Sequence, residues 1–216
     1  MATTGKPVDK RKLRGQESRS HILQSAITCI AELGLGSLTL DRVAERAGIS
    51  RGLVVFHFKS KNQLFEEVLN FLGKQYADDW YAVLNQDSDS ALDKLLQLTD
   101  FDIRFCYQHS KYVAAWHAFW GEARGNVLYH DLSLPRDERY ASELEQLLAT
   151  MVEESGQDAD ELPLLSAGLM AMLFGVWIES HLHPDPSNCE IYRKSVRLYL
   201  ARNFPGHQVR PATSST

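Results

Sequence analysis

Across almost the whole of this 216-residue chain, apolar residues recur three and four positions apart, and an alternation of period two is never sustained. A chain patterned this way buries apolar stripes helix against helix, so a sheet is excluded as its organising element. The expected fold is all-α, with about nine helices.

Glycine, proline and short polar residues punctuate the pattern. A first helix is expected over about 16–33, carrying Ile22, Leu23, Ala26, Ile27, Ile30 and Leu33 on one face and stopping at Gly34-Leu35-Gly36. Thr39 should cap a short helix with Leu40, Val43, Ala44 and Ala47 inward, closed by Gly48. Ser50 should cap a third helix over about 51–58. Ser60-Lys61-Asn62-Gln63 reads as a capping box that opens a long fourth helix. After the polar break at 86–90, further helices are expected near 91–109, 111–124, 134–155, 161–182 and 187–203. The last is opened by a second capping box, Ser187 with Glu190. The polar end, 207–216, reads as a frayed tail.

Charge divides the chain more sharply than length does. The net charge is −5, which taken alone argues against nucleic acid. Residues 1–61, however, hold 11 Lys and Arg against 5 Asp and Glu, while the remainder holds 12 against 23. A basic head of +6 on an acidic body of −11 points to a nucleic-acid-facing N-terminus. The expected division is therefore 1–61, 62–206 and a tail, 207–216.

Three well-separated cysteines, Cys29, Cys106 and Cys189, suggest neither a disulfide framework nor a zinc site. The basic N-terminus lacks the apolar stretch of a signal peptide. The most apolar segment, Leu162–Leu182, is interrupted by Ser166, Gly168, Gly175 and Glu179. A cytoplasmic protein without a membrane partner is expected. His181 and His183 are two apart near a helix end, with no third ligand evident, so no metal is expected there. No cofactor fingerprint and no catalytic motif is present, which leaves the enzyme class without a candidate residue.

The strongest motif lies in the basic head. A short helix, the turn Gly48-Ile49-Ser50 and a second short helix form a helix-turn-helix pattern. Gly48 permits the left-handed turn, Ile49 fills the angle between the helices, and Ser50 satisfies amides at the start of the second. That second helix can enter a major groove with Arg51, Gly52, Leu53 and Val55 leading.

The segment from Leu38-Thr39-Leu40-Asp41-Arg42-Val43-Ala44-Glu45-Arg46-Ala47-Gly48-Ile49-Ser50-Arg51-Gly52, followed by Phe56-His57-Phe58-Lys59-Ser60-Lys61-Asn62-Gln63-Leu64-Phe65, resembles the DNA-binding domain of TetR-family repressors. The resemblance implies a homodimer that binds a palindromic DNA operator through its N-terminal domain, with an effector held in the C-terminal body. Carried over by position, Thr39 and Lys61 would contact phosphates and His57 would lie near the backbone. Arg51, Gly52 and Leu53 would face base edges. Arg42, Ser50, Val55 and Lys59 complete the expected DNA-binding set. The family often has Thr at the position of Leu53 and Tyr at those of Val55 and Phe56. Their loss leaves Arg51 for a guanine, and Leu53 or Val55 for a thymine methyl. Lys6, Lys10, Arg11, Lys12 and Arg14 form a basic arm that either adds phosphate contacts or is simply solvated.

In the acidic body, seven of the chain's 21 aromatic residues fall within 101–120. They are core, or the wall of a pocket whose ring faces attract a cation. Trp116-His117-Ala118-Phe119-Trp120, then Tyr140, then Gly168-Leu169 through Gly175-Val176-Trp177, resembles the C-terminal domain of the BetI-type branch of the same family. That resemblance implies a choline-like small-molecule effector, with Phe105, Trp116, Phe119, Trp120 and Trp177 as ligand-binding residues. A nucleobase, polyamine, fatty acyl or aromatic ligand remains open, as does an adaptor without effector. Asp102, Glu122 and Glu179 are acidic partners available to a cation. The family resemblance also implies a dimer interface built from the last two long helices. Their apolar positions Leu165, Leu169, Leu173, Val176, Ile191, Val196 and Tyr199 are the expected dimerisation residues, with Gly168 and Gly175 allowing close approach.

Overall fold

The computed structural model describes residues 10–122 and 127–207. Nine α-helices and no strand occur among these residues. They are α1 (Lys10–Leu33), α2 (Leu40–Ala47), α3 (Arg51–His57), α4 (Lys61–Leu84), α5 (Ala91–Gln108), α6 (Ser110–Glu122), α7 (Val127–Ser155), α8 (Leu162–Leu182) and α9 (Asn188–Asn203), with a 3₁₀ turn at Ala159–Glu161 before α8. The chain forms two compact units that meet between Phe71 and Leu72. The boundary therefore falls inside α4 rather than before it. Leu64 and Val68, in the first turns of α4, are fully buried members of the N-terminal unit.

In the N-terminal unit, Ile22, Ala26, Ile27 and Ile30 of α1 join Leu38, Val43, Val54 and Phe58 in a small core. α1 starts earlier than its apolar stripe, because the basic residues from Lys10 to Arg14 extend the same helix. Of the basic arm, Lys6 lies outside the described residues. The Arg19 guanidinium lies 5.0 Å over the Phe58 ring and pairs with Glu67 on α4.

In the C-terminal unit, α5 is central and packs on α7, α8 and α9, while α8 also packs on α6, α7 and α9. Asp100 ties α5 to α9. Its Oδ2 accepts from Arg193 at 2.9 Å and from Arg197 at 2.6 Å, in a largely buried cluster. Tyr199 reaches from α9 to donate its hydroxyl to the Leu165 carbonyl at 2.9 Å. A Cβ at Gly168 would lie 2.6 Å from that hydroxyl oxygen, so this position admits only glycine without movement.

Two local expectations change. Helix α7 runs through Pro135 and begins at Val127, although proline removes a backbone donor. The Ser187–Glu190 capping box does not form. Ser187 is helical, Asp185 Oδ1 accepts its amide instead, and Glu190 pairs with Arg193. At the chain end, 208–216 lie outside the described residues, while His207 Nε2 lies 3.2 Å from Glu154 Oε2.

Candidate functional site

The helix-turn-helix is built by local chemistry. Thr39 is extended, and its Oγ1 accepts the Arg42 amide at 3.2 Å to start α2. Gly48 has φ 65° and ψ 31°, the left-handed conformation that ends α2. The Gly48 amide donates to Glu45 and the Ile49 amide to Ala44, which closes the turn with paired bonds. Ser50 Oγ then accepts the Leu53 amide at 3.2 Å and opens α3. Val54 is fully buried and fixes which side of α3 faces inward.

Among the expected DNA-facing residues, Thr39, Arg42, Ser50, Arg51, Gly52, Leu53 and Lys59 are exposed. Val55, His57 and Lys61 are half-buried. Both capping hydroxyls accept from backbone amides, so each keeps its proton to donate to a phosphate. Arg51 Nε lies 3.0 Å from Asp41 Oδ1. Arg42 donates to the Ser37 carbonyl at 2.8 Å, and Lys61 to the Gly36 carbonyl at 3.4 Å. Lys61 also sits 5.0 Å over the Phe65 ring. Burial, helped by the positive charge of Arg19, holds His57 below its ordinary pKa. It is therefore a neutral hydrogen-bonding group at pH 7, not a cation.

Aromatic rings and one carboxylate converge in the C-terminal unit. Asp102 of α5 is 1% exposed, and its Oδ1 accepts the Tyr76 hydroxyl at 2.7 Å and the Trp177 indole N–H at 3.0 Å. Ring centroids of Phe101, Phe105, Tyr140 and Trp177 all lie 5.1–5.9 Å from that of Tyr76. Trp80 adds a ring 5.5 Å from Tyr140. No cation pairs with Asp102 among the described residues. Burial pushes its carboxyl up to about 6, and the two donated hydrogen bonds oppose that rise. The site thus holds a carboxylate at neutral pH that is desolvated, bonded by neutral donors and set within a cluster of aromatic rings. Such a site favours an entering cation.

Of the expected ligand residues, Phe105 and Trp177 lie in this cluster. Trp120 touches it through Trp177 at 5.7 Å and continues outward to Phe174 at 5.4 Å. Trp116 and Phe119 are buried on α6. His117 lies 2.9 Å from the Trp177 carbonyl. Of the other acidic candidates, Glu179 pairs with His183, and the side chain of Glu122 lies outside the described residues. Tyr76 is not among the expected ligand-binding residues because it occupies an ordinary apolar position of α4. Its hydroxyl, on a stripe otherwise made of Leu64, Val68, Leu69, Leu72 and Trp80, was the available signal.

Five of the seven expected dimerisation residues turn inward. Leu165, Leu169, Leu173, Val176 and Val196 are buried in their own unit. Tyr199 is half-buried and bonded to Leu165, and only Ile191 is exposed. The outward apolar side of α8 carries Leu164, Phe174, Ile178 and Leu182, continued on α9 by Ile191 and Leu198. α8 is apolar on every side, so periodicity alone could not select its free face.

These features find relatives. A model of bacterial regulatory proteins of the tetR family matches residues 22–68. The model of the BetI-type transcriptional repressor C-terminal domain matches residues 89–205, more than half of the chain. The chain belongs to the BetI-type repressors of the tetR family. The BetI regulator of Cronobacter sakazakii is 25% identical over 191 residues, covering 87% of this chain and 91% of that protein. One from Escherichia coli is 26% identical over 196 residues, covering 87% and 94%. Among solved structures, a transcriptional regulator from Saccharomonospora viridis in complex with choline superimposes with a TM-score of 0.74 at 23% identity, covering 87% of this chain and 97% of that one. A regulator from Pseudomonas aeruginosa gives 0.70 at 20% identity, covering 93% and 100%. This BetI-type repressor is therefore a DNA-binding transcriptional regulator with the TetR fold.

Proposed function

We propose that the protein is a cytoplasmic homodimeric repressor that binds a palindromic operator and is released by a small organic cation of the choline type. The observation that carries the effector class is Asp102, a buried carboxylate without a cationic partner among the described residues, ringed by Tyr76, Phe101, Phe105, Tyr140 and Trp177. A quaternary ammonium group neutralises the carboxylate and presents methyl groups to the ring faces, without requiring hydrogen-bond acceptors. The choline complex of the Saccharomonospora viridis neighbour supports the same class. The protein binds and releases this ligand unchanged.

Thr39, Arg42, Ser50, Arg51, Gly52, Leu53, His57, Lys59 and Lys61 form the operator-facing set, with Arg51 as guanine reader. The exposed apolar sides of α8 and α9 bring two copies together, placing two α3 helices about one duplex turn, ~34 Å, apart. Effector favours a conformer in which that spacing no longer matches the grooves, by no more than its differential affinity for the two conformers.

The test is titration calorimetry with choline, paired with operator binding by fluorescence anisotropy. Choline should bind and weaken operator affinity. Asp102→Asn should lower choline affinity at least about tenfold, the loss of one charge-assisted contact, while leaving operator affinity in place. Absence of choline binding, with operator binding intact, would remove the cation class and leave the nucleobase, polyamine, fatty acyl or aromatic classes to be screened.

A further inference from the structure

The reading surface of α3 is unusually apolar. Val54 points into the core, and a residue two positions on lies about 200° around the helix axis, so Phe56 projects almost directly away from the unit. Phe56 is 77% exposed, the highest value among the exposed large hydrophobic residues. Val55 is half-buried. Gly52 and Leu53 flank the Phe56 ring, one turn earlier on the same side. Leu53 is 37% exposed, and a Cβ at Gly52 would meet only the Ser50 hydroxyl at 3.8 Å. The His57 ring lies edge-on to the Phe56 ring at 5.2 Å. Arg51, exposed at the N-terminal end of α3, is a donor available to a base beside this patch.

We infer that Phe56 is the specificity-determining apolar reader of the operator, seated on the 5-methyl group of a thymine in each half-site. The inference rests on the DNA-binding reading of this unit and assigns the methyl contact to Phe56 rather than to Val55. The thymine methyl is the one apolar feature that a base pair offers in the major groove, and a phenylalanine ring is among the groups that contact it. Gly52 leaves the groove floor free to approach beside the ring, so the contact can be desolvated. Docking then buries a phenyl face that water surrounds in the free protein.

The experiment uses the full chain and duplexes selected by it from a random pool. Each thymine is replaced in turn by deoxyuridine, which removes only the methyl group. At one thymine per half-site the wild-type protein should bind about threefold to tenfold more weakly, the size expected for one buried methyl. Phe56→Ala should bind the thymine duplex more weakly and be indifferent to the same replacement. Its thermal unfolding should match wild type, because the ring is exposed. Leu53→Ala should keep the deoxyuridine penalty. Should Phe56→Ala bind too weakly to titrate, Phe56→Leu should show a reduced penalty. A Phe56 variant that retains the full penalty, or a wild type with no penalty at any thymine, overturns the assignment. Selection that returns no sequence preference overturns it together with the operator reading.

Discussion

Arg51 Nε lies 3.0 Å from Asp41 Oδ1, so the first residue of the recognition helix is already paired with a carboxylate of the preceding helix when the protein is free. Both side chains are more than 60% exposed, and a surface pair of this kind is worth about 0–1 kcal/mol. So weak a pair would yield the guanidinium readily to a better partner. Arg51→Ala should weaken operator binding by about 1–3 kcal/mol, roughly fivefold to 150-fold, the range for a bidentate arginine–guanine contact. The oligomeric state should not change. Anisotropy titrations at one salt concentration check this, and undiminished affinity removes Arg51 from the reading set.

Asp41→Asn releases Arg51 from its pair. Operator affinity should rise by no more than about fivefold, within the ~1 kcal/mol of the exposed pair, and the gain should shrink as salt is raised. A loss of affinity would instead mean that Asp41 orients the arginine for the base.

Asp102 makes stability depend on pH in a direction opposite to most carboxylates. Its folded-state pKa is about 6, against an ordinary value of 3.8. Below 3.8 both folded and unfolded chains hold the proton. Between these values the unfolded chain loses its proton first, so stability falls as pH rises and the loss is complete above about 6. The full effect is about 3 kcal/mol at ~1.4 kcal/mol per unit. Asp102→Asn should abolish this fall, seen as thermal midpoints that no longer decline across the window. A cation that binds the carboxylate must also displace the proton, so effector affinity should climb to about pH 6 and then level off. A flat profile in both measurements would place the ionisation elsewhere.

Gly168→Ala puts a methyl 2.6 Å from where the Tyr199 oxygen now sits. The Tyr199–Leu165 bond and the approach of α9 to α8 must give way. Overpacking of this kind costs about 1–3 kcal/mol, and the thermal midpoint should drop accordingly. Adding Tyr199→Phe should recover part of the loss, because it removes the crowding hydroxyl.

Phe174→Glu places a charge on the outward side of α8, where the native ring is 53% exposed. If two copies meet there, sedimentation should show a folded monomer. Operator affinity should fall by at least about a hundredfold, as the second half-site contact is no longer intramolecular. A dimer that survives this substitution with full affinity must use another face.

The sequence made the head of this protein far more legible than its body. Thr39, Gly48 and Ser50 act through bonds no more than five residues long, so residue type and spacing were enough to specify α2, the turn and α3. Asp102, Tyr76 and Trp177 come together from three helices across 26 and 75 positions. No local pattern encodes such a meeting, and the aromatic-rich stretch at 101–120 identified only part of it. The residues expected at the dimer face are mostly buried in their own unit for a different reason. The seven residues chosen on α8 and α9 follow a helical stripe correctly, but α8 offers a second apolar stripe that only packing can distinguish from the first. The helix expected near 134–155 likewise begins earlier, at Val127, so that α7 runs through Pro135.

Trp177 gives its indole N–H to Asp102, while its backbone carbonyl is met by His117 of α6 at 2.9 Å and by the Ser180 hydroxyl at 3.0 Å. One residue is thus both a hydrogen-bond partner of the buried carboxylate and a fastening among α5, α6 and α8. Removing it would blur recognition and architecture together, so its deletion cannot be read as a sensing defect alone. If this cluster holds the effector, a lineage that changes that effector has more freedom at Phe101, which is only partly buried, than at Trp177.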